Sequence, residues 1–283
     1  MSQEPSTYAH THPALTGHVL EVAGCPLHYW LGGPQGAPLV VLTHGATMDH
    51  RMFNAQVSAL IGGGYRILVW DARGQGHSQP MGEQLSMPRA AQDLLAILDQ
   101  VGADHAVIGG QSLGGYVAQY LYLAAPQRVQ AMVIIGSTCI AFPYAWWEVT
   151  ALDWSGPLFA LWPWGHFTRL VARTTALHPE VRAYALEAIR QVDRRGFLTV
   201  WRGVQHAIST QGIPGHTIEV PLLMVHGEHD TAGTIRRDAP RWAAYEPQVE
   251  YHVIPGAAHN ANQDNPVFFN ALLLEFLSRH VPV

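Results

Sequence analysis

The chain has 283 residues, with 16 basic and 21 acidic side chains and a formal net charge of −5, which leaves no clustered cations of the kind nucleic-acid phosphates require. Only 13% of residues are charged, against roughly 25% in an average soluble protein, and 48% are apolar or aromatic, so a large buried core is expected. The length suits one α/β domain that carries an insertion.

Met1 to Thr7 has neither a basic segment nor an apolar run, so no signal peptide is expected; residues 1–14 are expected to be a disordered tail and the protein to be cytoplasmic. His18–Val22 and Leu27–Leu31 read as a hairpin joined through Gly24 and Pro26. Leu39 to Thr43 is a continuous apolar run that predicts a buried strand, leading into His44-Gly45-Ala46-Thr47. A helix is predicted from Asp49, its N-cap, to Leu60. Gly62-Gly63-Gly64 then admits a strand over Arg66–Trp70, followed by the polar turn Asp71-Ala72-Arg73-Gly74-Gln75-Gly76-His77-Ser78, in which Asp71 and Arg73 are read as holding the turn. Arg89 to Gln100 has helical spacing.

The segment from Val107 to Tyr116 predicts a strand, a sharp turn and a helix. Its centre, Gly110-Gln111-Ser112-Leu113-Gly114, matches the G-x-S-x-G nucleophile elbow, in which glycines let strand and helix pass closely while the serine projects from the top. No charged residue occurs between Val129 and Trp147, yet Gln130, Gly136, Ser137, Thr138 and Pro143 interrupt that stretch. It reads as a strand and a loop, and no integral membrane segment is expected.

The core is assigned to residues 1–136 and 216–283, and residues 137–215 to a helical, aromatic-rich lid of the kind that explains so long an insertion. Pro179 to Val192 has clear helical spacing there. Most of the lid aromatics should pack its own small core, while Phe142, Trp146, Trp147, Trp154 and Trp162 are candidates for substrate contact. Beyond it come a strand over Pro221–Val225, the loop His226-Gly227-Glu228-His229-Asp230, a helix over Thr234–Tyr245, a strand over Val249–Ile254, the loop Gly256-Ala257-Ala258-His259, and a final helix from Pro266 to Arg279. Strands alternating with helices predict a mostly parallel sheet covered on both faces, whose ligands sit at the carboxyl ends of the strands.

A serine hydroxyl needs a base, and the base needs a carboxylate to orient it. His259 lies in a loop beyond the last strand, whereas His252 is inside that strand and His280 is at the terminus. Asp230 follows a strand end, while Glu228 is earlier in the turn and Asp238 is within a helix. Ser112, Asp230 and His259 are therefore the catalytic candidates. Cys25 and Cys139 fit packing roles, a metal site from His226, His229 and Asp230 is poor because the three share one turn, and no metal or cofactor is expected.

Together these motifs resemble the α/β-hydrolase family from about His18 to His280. The features that carry the likeness are the elbow, the order Ser, Asp, His, His44-Gly45, the Asp71 to Ser78 turn, Gly227-x-x-Asp230, and His259 followed by Asp264, Pro266 and Phe269. The resemblance implies an oxyanion hole from the backbone N–H groups of Leu113 and of Ala46 or Thr47. It also implies hydrolysis of a small to medium apolar ester or lactone through an acyl-enzyme. Slow-turnover receptors and cofactor-free dioxygenases or perhydrolases of the same fold are the alternatives. Ser112 departs from relatives that open epoxides or displace halide, which carry aspartate at the elbow.

Overall fold

In a computed structural model that describes residues 6–283, eight strands form one sheet in the order β1-β2-β4-β3-β5-β6-β7-β8. The strands are β1 (Thr16–Val22), β2 (Cys25–Gly32), β3 (Leu39–Thr43), β4 (Arg66–Trp70), β5 (Ala106–Gln111), β6 (Val129–Ile135), β7 (Leu222–Gly227) and β8 (Val249–Ile254). β1 and β2 form the antiparallel hairpin and β2 joins β4 antiparallel, while the six strands from β3 to β8 run parallel. Every residue of β3 is buried, because a parallel strand in the middle of a sheet is covered on both faces. Alternation then decides which core each side chain enters: Leu39 and Val41 join one, Val40 and Leu42 the other.

Helices on the first face are α2 (Met87–Gln100), α3 (Leu113–Ala124) and α8 (Ile235–Tyr245), contributing Leu94, Val117 and Trp242. The second face is covered by α1 (Asn54–Gly62) and α10 (Pro266–His280), through Val57, Leu60, Phe269 and Phe276. The chain marks these helix starts chemically. Ser86 caps α2 by accepting from Arg89 N, and Asn265 caps α10 by accepting from Phe268 N with Pro266 at the first helical position. Asp49 caps a single 3-10 turn, His50–Phe53, before α1 begins at Asn54, so the predicted single helix is two pieces.

Between β6 and β7 lie α4 (Trp146–Leu161), α5 (Trp164–Thr175), α6 (Pro179–Arg190) and α7 (Arg194–Gln205). Phe159, Trp164, Phe167, Phe197 and Trp201 share a small core of their own there. A short helix, α9 (Ala261–Asp264), follows the His259 loop.

The expected disordered tail is corrected over residues 6–14. Tyr8 is 3% exposed, its ring 5.4 Å from that of Tyr184, and Asn54 Nδ2 donates to Thr7 O and His10 O at 2.8 and 2.7 Å. A local reading of those residues misses this because their partners are more than 40 positions away. The rest of that expectation, residues 1–5, lies outside the described residues. Among the described residues, no helix is long and apolar enough to cross a membrane.

Candidate active site

Ser112 stands between β5 and α3 with φ 52 and ψ −110, a conformation rare for a residue with a β-carbon. Two glycines make the turn possible. A Cβ at Gly110 would lie 2.2 Å from the Gly114 carbonyl carbon, and one at Gly114 would lie 2.0 Å from Thr43 O, so strand, turn and helix pass with no room for a methyl group. Ser112 N donates to Ile135 O at 2.9 Å, which fixes the turn against the end of β6. The next residue, Gly136, brings the other candidates close: a Cβ there would be 3.2 Å from Asp230 Oδ2 and 3.3 Å from His259 Nδ1.

Asp230 and His259 form a buried pair. His259 Nδ1 is 3.0 Å from Asp230 Oδ2, and Asp230 Oδ1 accepts from Ala232 N at 2.8 Å. Burial alone would push the Asp230 carboxyl up, but the imidazole beside it and the two hydrogen bonds outweigh burial and hold it below its usual range. An ionised Asp230 accepts a hydrogen bond from Nδ1–H, which leaves His259 Nε2 as the basic nitrogen. Ser112 is partly exposed, and among the described residues its Oγ has no hydrogen-bond partner.

The His259 loop is tied on three sides. Gln111 Nε2 donates to His259 O at 3.0 Å, Asn260 N donates to Thr175 O at 2.8 Å, and Asp264 Oδ2 accepts from Ala258 N at 2.9 Å. Asp264 also accepts from Leu177 N and His178 N, each at 3.0 Å, so one buried carboxylate joins the histidine loop to the segment before α6. The sequence pattern contained Asp264 but not its partners. Gln111 was legible only as the variable residue of the elbow. Its amide occupies the space beside Gly45, where a Cβ would meet Gln111 Oε1 at 2.0 Å.

The loop after β3 is held as firmly. His44 is fully buried, and burial lowers its pKa. Ala72 N donates to His44 Nε2 at 3.0 Å, so the proton sits on Nδ1 and goes to Gly45 O at 2.7 Å. Thr47 has φ 64, and its N–H donates to Gln75 Oε1 at 2.6 Å. That N–H is thus engaged. Among the described residues, the N–H groups of Ala46 and Leu113 donate to no protein acceptor, and that of Leu113 is one of the free donors at the start of α3. Gln75 is the second residue that sequence reasoning passed over, hidden as a variable position of the Asp71 to Ser78 turn.

Asp71 and Arg73 brace that turn. Asp71 accepts from His50 N, His50 Nδ1 and His77 N, while Arg73 makes a two-pronged pair with Asp93, both fully buried. His226, Asp230 and His229 do not converge: His226 Nε2 is 2.7 Å from Tyr251 Oη, and His229 lies exposed near Glu228. Cys25 and Cys139 are buried free thiols, and burial pushes Cys139 up to about 12.

Trp146, Trp147, Trp154 and Trp162, candidates for substrate contact, are 72, 56, 64 and 44% exposed. Phe142 is buried edge-on against Tyr245, with the Arg241 guanidinium 4.3 Å above its ring, beside α8. Which side of α4 meets protein depends on α7, where Trp201 Nε1 donates to Ser155 Oγ across 46 positions of the chain.

A strained serine at a strand-to-helix turn, at the carboxyl edge of a mostly parallel sheet and beside a buried aspartate-histidine pair, defines the architecture of α/β hydrolases. A model of the alpha/beta hydrolase fold matches residues 38–266, and the chain belongs to that family. It is 24% identical to 3-oxoadipate enol-lactonase 1 of Acinetobacter baylyi over 90% of this chain and 94% of that one. It is 23% identical to carboxylesterase YbfK of Bacillus subtilis, covering 88 and 83%. Among solved structures, a hydrolase from Pseudomonas aeruginosa superposes with a TM-score of 0.79 at 24% identity, covering 94% of this chain and 99% of that one.

Proposed function

We propose that the protein hydrolyses carboxylic esters or lactones of small to medium apolar substrates through a serine acyl-enzyme. The observation that carries this reading is the buried Asp230–His259 pair placed beside the strained Ser112 turn. Its enol-lactonase and carboxylesterase relatives support the same class of chemistry.

In this mechanism His259 Nε2 takes the Ser112 proton as Oγ attacks the carbonyl, while Asp230 stabilises the imidazolium and holds its tautomer. The oxygen of the tetrahedral intermediate is held by the N–H groups of Leu113 and Ala46. Ala46 is chosen over Thr47 because the Thr47 N–H is already spent on Gln75. Leu113 also contributes the favourable field of the α3 N-terminus. His259 then passes its proton to the departing alcohol, or to the alkoxide arm of an opened lactone that stays attached through its acyl carbon. Water, activated by the same histidine, attacks the acyl-enzyme and restores Ser112. The division into a core of residues 1–136 and 216–283 and a lid of 137–215 belongs to this reading, with α4 to α7 covering the substrate.

Rapid-mixing hydrolysis of aryl esters from acetyl to lauroyl tests it. Many turnovers with a chain-length optimum are expected, and Ser112→Ala and His259→Ala should each lower turnover by roughly four to six orders of magnitude without unfolding. Full activity in either variant would refute the assignment.

A further inference from the structure

Helix α4 has the make-up of a buried helix but lies on the outside of the molecule. Trp147, Ala151, Trp154, Leu158 and Leu161 recur at steps of four and three, which places them on one helical face. That face is turned to solvent: Leu158 is 60% and Leu161 83% exposed, beside the exposed Trp147 and Trp154, and Trp146 and Trp162 flank its two ends. The other side of the helix meets α7, where Trp201 Nε1 donates to Ser155 Oγ at 2.7 Å and Gln205 Nε2 to Leu152 O at 2.6 Å. Single exposed apolar residues are ordinary. A continuous row along a 16-residue helix, about 24 Å at 1.5 Å per residue, is not, and rows of this kind mark a surface that something covers.

Chemistry selects the occupant. Four of the exposed side chains are tryptophans, and among the described residues their indole N–H groups have no protein acceptor. An apolar ring with a free donor suits the layer between acyl chains and headgroups. Charge agrees. Residues 137–215 hold seven arginines against five carboxylates, whereas the rest of the chain holds nine against sixteen. Arg194 Nη1 and Nη2 donate to Ala160 O and Trp162 O, both at 3.0 Å, which sets a cation at one end of the row, and Arg195 beside it is exposed. Of the two acids on α4, Glu148 is neutralised by an ion pair with Arg237, and Asp153 lies about 120° round the helix from the centre of the row. A second copy of the chain fits less well, since both acids of α4 are withdrawn from the row, Glu148 into its pair with Arg237 and Asp153 round the helix, which leaves the arginines no partner on a facing α4.

We propose that α4 docks the protein on an anionic lipid surface, with Trp147, Trp154, Leu158 and Leu161 entering the headgroup layer and Arg194 and Arg195 meeting the lipid charge. The helix lies in the plane of the surface and does not span it. For an esterase of apolar substrates this would place the site where such substrates collect, but docking itself depends on no turnover.

The test is flotation of the full chain with vesicles of equal parts phosphatidylglycerol and phosphatidylcholine, and with phosphatidylcholine alone, at low and high salt. Wild type should float with the mixed vesicles, less at high salt and less with phosphatidylcholine alone. Trp147→Ser/Trp154→Ser should weaken partitioning about tenfold or more, because two large rings lose an apolar environment; Arg194→Gln/Arg195→Gln should weaken it for the mixed vesicles only. Quenching of wild-type tryptophan emission by brominated acyl chains gives a reading independent of how any variant folds. Absence of both flotation and quenching would overturn the proposal. So would unchanged flotation of the tryptophan variant, or a wild-type dimer in sedimentation that does not float and that the same variant dissolves. Ester hydrolysis without vesicle binding would sink the docking surface alone, and vesicle binding without hydrolysis would sink the enzyme reading alone.

Discussion

Replacing Gln75 with methionine isolates the device that sets the second oxyanion donor. The side chain is fully buried, its Oε1 accepts the Thr47 N–H at 2.6 Å, and its Nε2 has no partner among the described residues, so Gln75→Met removes one hydrogen bond at nearly constant volume. What remains is a buried N–H without an acceptor, which costs about 1–3 kcal/mol. It sits at a β-branched residue whose positive φ already carries strain on the order of 1–3 kcal/mol. The loop can relieve both by rotating the Thr47 N–H elsewhere, and Ala46, one residue back, moves with it. A single oxyanion donor contributes about 2.7–4 kcal/mol, which sets the ceiling. A partial displacement worth about 1–3 kcal/mol lowers kcat by roughly fivefold to 150-fold. KM should change little, because the donor acts on charge that develops only in the transition state. The assay is kcat and KM on an aryl ester, the rate of Ser112 labelling by an aryl phosphonate, whose adduct needs the same donors, and thermal unfolding. A variant with lowered Tm but wild-type kcat and labelling rate would refute the reasoning, because Gln75 would then be a packing residue only.

The Asp230 carboxyl is held below its unfolded value, so the stability it contributes is fully present above a pH of about 3.9 and is lost as the pH falls through the lower folded value; Asp230→Asn should flatten the acid limb of urea-unfolding stability below that pH, and an unchanged slope would disprove this. Asp264→Asn turns an amide NH2 toward backbone N–H groups that now meet a carboxylate, at a cost of about 2–4 kcal/mol. Scanning calorimetry should show Tm lowered by roughly 5–15 °C, with kcat reduced as the His259 loop loosens. A methyl at Gly114 would lie 2.0 Å from Thr43 O, so Gly114→Ala should yield little folded protein. Gly165→Ala on α5, where the nearest atom would be 3.8 Å away, should be neutral or stabilising by about 0.5–1 kcal/mol in denaturant titration.

Strand positions were legible because their signal is local. β3, β4 and β8 occupy the residues their apolar runs indicate, and the other strands differ only at their ends. Ser112, Asp230 and His259 were legible as candidates because each follows a strand, and in a parallel sheet consecutive strand ends share one edge. Helices α5 and α7 were read only as part of a helical section. Their apolar residues serve a small core assembled from four helices, so no single helix carries the full pattern.

What the sequence determined by itself is therefore the parallel sheet, the strained turn at Ser112 and the order of candidate groups along one edge, all consequences of short-range periodicity and of glycines where no β-carbon fits. Tertiary structure alone decided how those groups are held. Gln75 meets Thr47 across 28 positions, Asp264 meets Leu177 across 87, and Gln111 meets His259 across 148. Tertiary structure also decided that α4 turns its tryptophans outward, because α7 claims the opposite side. A hydrogen-bond partner or a covered face is a property of two segments at once, and neither segment encodes it alone.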